Sequence, residues 1–319
     1  MDVSAPASKR SHPLTRPASA LSAFAWSAFA WSVVSGTLTL AASRQAQAQA
    51  FNFSTGTPDG KIATLSRTAS AGKLETETAD DFVTTAPTAI TSAMFTGLLV
   101  GGATTASVKD VEIELYHVFP LDSTVPPDNR VTTRVNSPSD DNFAAADGAL
   151  GQLSFTTTLL NPSFTAANSV VNGIQAAPSQ FTGGEGPVTG QEVQFNVTFN
   201  TPFLLGPDHV FFRPEVDLGN AGDFLWLSAP KPILPPGTPF TPDLQSWIRN
   251  DGPGALGPDW ERIGTDVTGQ GPFNASFSLA GQVVPEPSSL ALLAGGLLLG
   301  LAPLARRGRA RRAGKEWRD

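Results

Sequence analysis

A chain of 319 residues has room for one large domain or two small ones. It has no cysteine, which excludes a disulfide framework, thiol catalysis and cysteine-ligated metal. Its net charge of −7 divides into basic ends, +3 over residues 1–50 and +4 over 285–319, and a body at −14 whose acidity argues against nucleic acid as a partner.

The first fifty residues read as a signal peptide, residues 1–50. Lys9, Arg10 and Arg16 form a positive leading segment, and residues 18–42 are apolar or small and uncharged, which predicts the signal helix. Ala46-Gln47-Ala48-Gln49-Ala50 then offers the small side chains that signal peptidase reads, at Ala48 and Ala50. Cleavage after Ala50 leaves Phe51 as the mature start.

The body spans residues 51–283. Residues 51–79 lack a clear pattern and read as an extended arm. Period-two alternation follows: Val193-Gln194-Phe195-Asn196-Val197-Thr198-Phe199, Phe273-Asn274-Ala275-Ser276-Phe277-Ser278-Leu279 and Val111-Glu112-Ile113-Glu114-Leu115 each place apolar side chains on one face. Further strands are predicted at 81–85, 90–99, 131–135, 151–160, 169–174, 209–217, 224–228 and 245–249, separated by Gly, Pro, Asn and Asp. With no helical stripe between them, the predicted fold is all-β: an antiparallel β-sandwich or jelly roll. The proline-rich stretch Pro230–Pro239 is expected to be a surface loop inside this domain.

The tail, residues 284–312, has three parts in order. Pro285-Glu286-Pro287 comes first, and its two prolines hold the chain extended around the one charge. The uncharged run Leu290–Ala305 follows; as a helix its sixteen residues would reach about 24 Å, slightly short of a roughly 30 Å hydrocarbon core. Arg306, Arg307, Arg309, Arg311 and Arg312 close it as a stop-transfer cluster, leaving 313–319 as a cytoplasmic end. A C-terminal transmembrane helix is therefore expected over 290–305.

This order of Pro-Glu-Pro, apolar helix and arginine cluster resembles the PEP-CTERM sorting domain of Gram-negative bacteria. The resemblance implies recognition by an exosortase, cleavage near Pro285-Glu286-Pro287, transient anchoring in the inner membrane, and delivery to the cell surface or an exopolysaccharide matrix. The body is similar to β-sandwich regions of other PEP-CTERM proteins through Thr78-Ala79-Asp80-Asp81-Phe82-Val83 and the apolar strand ending near Gly97, which implies a fold and nothing further.

Chemistry is sparse in the body. His117 shares the face of Val111, Ile113 and Leu115 and reads as a core or rim histidine; His209 begins a strand. Their spacing makes no zinc site, and neither a nucleophile elbow nor a phosphate loop is present. Gly252-Pro253-Gly254-Ala255-Leu256-Gly257 fits a dinucleotide pattern in letters only, since prolines interrupt it and no helix is predicted after it. Asp140, Asp141 and Asp147, or Asp217, Asn220 and Asp223, could bind calcium through their oxygens. Trp226 and Trp247 lie within apolar strands and are expected in the core, whereas Trp260 follows Gly257-Pro258-Asp259 and is the one expected sugar-stacking platform. The leading expectation is a non-enzymatic surface or matrix protein that meets signal peptidase and an exosortase during export. The alternative is a module that binds, or less readily cleaves, exopolysaccharide.

Overall fold

The alternating segments become strands, and their apolar faces meet. The computed structural model describes residues 49–284 apart from Ala71, Gln175, Ala176 and Ser179. The signal helix and Ala48, the motif Pro285-Glu286-Pro287, the apolar run 290–305 and the arginine cluster lie outside the described residues. Among those described, no helix is long and apolar enough to cross a membrane. The described residues hold fifteen strands: β1 Ala50–Ser54, β2 Ile62–Leu65, β3 Glu75–Thr84, β4 Thr88–Val100, β5 Asp110–His117, β6 Ala144–Asp147, β7 Leu153–Ala166, β8 Asn168–Val170, β9 Val188–Leu205, β10 Asp208–Asp217, β11 Asp223–Ala229, β12 Trp247–Asp251, β13 Glu261–Arg262, β14 Asn274–Ala275 and β15 Phe277–Val283.

Nine strands make one sheet and six the other. In the larger sheet β9 runs along one edge of β4. The other edge of β4 is shared, by β15 against Thr88–Phe95 and by β11 against Gly97–Val100. At Gly97 the aromatic ring of Phe224 approaches so closely that a Cβ would stand 2.2 Å from it, so only glycine fits. β1 pairs with β15, placing Ala50 opposite Gln282. The smaller sheet has the order β13-β12-β3-β10-β5-β6 and is antiparallel throughout.

The inner faces form one aromatic core. Phe95 stacks on Phe195 at 4.8 Å within the larger sheet, and Phe212 of the smaller sheet stacks on Phe277 at 5.0 Å across the gap. Phe53 reaches Phe82 at 5.9 Å in the same way. Phe195, Phe199 and Phe277 are all buried, as their alternation predicts. Each such ring contributes about 1.5–3 kcal/mol through burial.

Two sequence expectations need correction, and a third needs refining. Residues 51–79 are not a patternless arm: they supply β1, β2 and the start of β3. Residues 131–135 are not a strand but part of the loop joining β5 to β6, in which Val131 and Arg134 are buried. The proline-rich stretch is a loop, but it sends Ile233 into the core while Leu234 stays 63% exposed.

Candidate functional site

The outer face of the smaller sheet holds most of the body's buried charge. Alternation along β3, β5, β10 and β12 turns Phe82, Ile113 and Phe212 inward and brings Glu77, Glu114, Arg213 and Arg249 together outside, with Arg213 opposite Glu114 and Arg249 opposite Glu77 in register. Arg213 stands at the centre. Its Nη2 donates to Glu77 Oε1 at 2.8 Å and to Glu114 Oε2 at 2.5 Å, and lies 3.5 Å from Glu75 Oε1. Its Nη1 is 2.8 Å from Glu215 Oε2, without the alignment of a hydrogen bond. Arg249 Nε donates to Glu77 Oε2 and its Nη2 to the Tyr116 hydroxyl at 3.2 Å. The loops after β5 and β12 cover this face: Trp260 lies under Arg249, 4.4 Å from guanidinium carbon to ring centroid, and Arg249 Nη1 donates to the Asp140 carbonyl.

Burial sorts the carboxyls. Burial pushes Glu77 up, but Arg213 and Arg249 outweigh it and leave its carboxyl below the usual range. Burial, reinforced by the Glu77 charge, raises Glu75 to about 7. Burial likewise lifts Glu112 and holds Glu215 well above the usual range in spite of Arg213. Five glutamates face two arginines here, so burial is only partly offset by positive charge, and Glu215, whose oxygens have no aligned hydrogen bond among the described residues, is held furthest from water.

Neighbouring carboxyls whose proton affinities are pushed apart form the electrostatic pattern of acid–base chemistry. Here the carboxyl that is lowered has no open oxygen: Glu77 is 2% exposed and both its oxygens accept from arginine. Carboxylate oxygens of Glu75, Glu77 and Glu215 lie within 4.8 Å of one another, a spacing a cation could share. The Arg213 guanidinium already reaches all three and supplies that positive charge. The network is read as the structural fastening of the sheet to its covering loops.

The residues singled out in the sequence fall elsewhere. Trp260 is fully buried, its Nε1 donating to the Ser139 carbonyl at 3.1 Å, so the expectation of an exposed sugar platform is overturned. The loop that seemed to present it folds back: Leu256 N donates to Asn250 Oδ1 and Gly257 N to the Asn250 carbonyl. Of the residues expected to bind calcium at Asp217, Asn220 and Asp223, Asp223 Oδ1 receives Arg67 at 2.7 Å and Lys73 at 2.8 Å, and Asp217 Oδ1 accepts from the Gly219 amide. Asp140, in the loop after β5, pairs with Arg134, while Asp147 at the end of β6 accepts from the Leu150 amide. His117 is a rim histidine between Asp122 and Asp208, stacked on Phe143 at 3.9 Å. His209 Nε2 is 2.6 Å from Asp81 Oδ2. Trp226 and Trp247 are both in the interior.

One open cleft adjoins this face. It measures about 400 Å³ and lies between the loop after β5, the proline-rich loop and β12–β13, with Asn136, Lys231, Asp243, Gln245, Trp247 and Arg262 in its walls. No protein-family model matches the chain, and no curated protein matches it significantly.

Proposed function

We propose that this chain is an exported, non-enzymatic surface or extracellular-matrix protein, delivered by its N-terminal signal peptide and sorted by an exosortase through its C-terminal tail. The observation that supports this reading is the pairing of the first strand with the last. Ala50 stands opposite Gln282, and the Val283 amide donates to the Gln49 carbonyl at 2.8 Å. The folded body therefore ends beside both expected processing points. Ala50 and Val284 are exposed, while Phe53 and Leu279, a few residues inward, are buried. The buried core thus begins and ends a few residues inside both expected junctions, so removal of the chain beyond them would leave it whole.

In this reading Pro285, Glu286 and Pro287 present an extended strip to the sorting enzyme, and Arg306, Arg307, Arg309, Arg311 and Arg312 halt transfer through the inner membrane. The test is made in the producing cell. Mass spectrometry of exported protein should find Phe51 at the N-terminus and no residues beyond the Pro-Glu-Pro region. Replacing residues 285–287 with alanine should leave the tail intact and abolish surface delivery; normal delivery of that variant would count against the reading. The alternative, a carbohydrate-binding module, loses its sequence argument with the burial of Trp260. What favours it now is a different tryptophan.

A further inference from the structure

Buried polar groups almost always find partners, so an orphan in the wall of a cleft marks where a ligand atom belongs. Among the three tryptophans of the described residues, two are satisfied internally: Trp226 Nε1 donates to the Ser276 carbonyl at 2.9 Å and Trp260 Nε1 to Ser139. Trp247 Nε1 is buried and has no acceptor among the described residues, and Trp247 lines the 400 Å³ cleft. The missing partner is thus an acceptor.

The other walls narrow its chemistry. Both cations there are already neutralised: Lys231 Nζ lies 2.7 Å from Asp243 Oδ1, and Arg262 makes two bonds to Asp266 at 2.7 and 2.8 Å. The cleft has no surplus charge to hold an anion, and the −14 body would repel one. Asp243 Oδ1 is buried without an aligned donor despite its ion pair, and the carboxamides of Asn136 and Gln245 lie in the same walls. A group that accepts from an indole and donates to a carboxylate is a hydroxyl. A cleft of this size, toward the lower end of small-molecule sites at about 300–1,000 Å³, suits one or two sugar rings.

We propose that this cleft is a binding site for a neutral, polyhydroxylated ligand, a carbohydrate, whose hydroxyl accepts the hydrogen bond of Trp247 Nε1. The site needs no exposed aromatic platform, and it stands whether or not the tail is processed as proposed above.

The experiment uses ¹⁵N-labelled residues 49–284, which contain only three indole N–H groups, with the Trp247 signal assigned through Trp247→Phe. Glucose, galactose, mannose and N-acetylglucosamine, and their short oligomers, are titrated to about 50 mM, above the millimolar Kd of a weak sugar site. At least one should move the Trp247 indole signal saturably while those of Trp226 and Trp260, already bonded inside the fold, stay fixed. Trp247→Phe keeps the ring and removes the donor; it should weaken that sugar about tenfold, one hydrogen bond's worth. Asn136→Ala, at the cleft wall, should also weaken binding and serves if Trp247→Phe fails to fold. No saturable movement with any of these sugars, equal movement of all three indoles, or unchanged affinity in both variants would overturn the assignment.

Discussion

At the scale of single residues, the body depends on charges taken out of water. Arg213 is 2% exposed and contacts four glutamates, so its removal leaves Glu77, Glu114 and Glu215 without their shared cation. Arg213→Met should cost about 3–5 kcal/mol, read as a fall in urea midpoint of residues 49–284. Arg213→Lys should recover little of it, because one ammonium cannot span donors that a guanidinium fork places on both sides. Glu261 presents the opposite case, an acid without a cation. It is 3% exposed, its Oε2 has no partner, and burial together with the Asp266 charge raises it from the ordinary 4.5 to about 8. A carboxyl that holds its proton more tightly when folded lends stability that is complete below pH 4.5 and is lost as pH rises through 8. Glu75, raised to about 7, acts in the same direction over a lower window. Glu77, Asp140 and Asp223, all lowered, lend stability that disappears as acid protonates them. The melting temperature should therefore peak at mildly acidic pH and decline toward pH 8. Glu261→Gln should flatten that decline and raise stability at pH 8 by about 1–3 kcal/mol. An unchanged slope in that variant would remove Glu261 from the account.

At the scale of elements, alternating strands with one wet face were legible, and so were apolar strands buried on both faces such as β10 and β11, whereas the polar start of β3 was not. β9 and β15 show their alternation because one side is wet or nearly so, and Phe195, Phe199 and Phe277 point where the pattern says. β3 begins Glu75-Thr76-Glu77-Thr78, which shows no apolar pattern, yet Glu77 is buried under the covering loops beside Arg213, and Thr76 and Thr78 are buried on the opposite face, where Thr78 Oγ1 donates to the Leu65 carbonyl. Residues 131–135 show the converse error. Their alternation imitates a strand, but Arg134 is drawn to Asp140 and Asp259, and the segment becomes part of the cover. Asp259 is far away in the chain, and so is Glu77 from Arg213. Partnerships over such separations leave no local signature, and this is why the charged network escaped notice. The cleft was hidden for a related reason. Trp247 was rightly placed in the interior, but a side chain's lack of an acceptor is a property of everything packed around it.

At the scale of the whole molecule, the acidic body is closed by a strand that lies next to an expected cleavage point, and that proximity can be tested without a cell. β1 is five residues long and pairs with β15 along its whole length. Its contributions are unequal. Phe53 packs between Phe82, Phe240 and Phe277 at 5.4–5.9 Å and is 3% exposed, whereas Gln49 and Ala50 are exposed and add only the end of the ladder. A body beginning at Phe51 should thus lose about 0.5–1.5 kcal/mol relative to one beginning at Gln49, the worth of the Val283 bond to the Gln49 carbonyl. A body beginning at Thr55 loses Phe53 as well as the five-residue ladder, and should fall by at least the 3–5 kcal/mol of a core phenylalanine deletion. Chemical denaturation of the three lengths side by side gives the comparison. If the start at Phe51 proved as damaging as the start at Thr55, cleavage after Ala50 would yield a body too weakened to survive export, and the mature start would have to lie upstream. A small loss at Phe51 followed by a large one at Thr55 would mean that the peptidase site stands where the folded structure begins to need its chain.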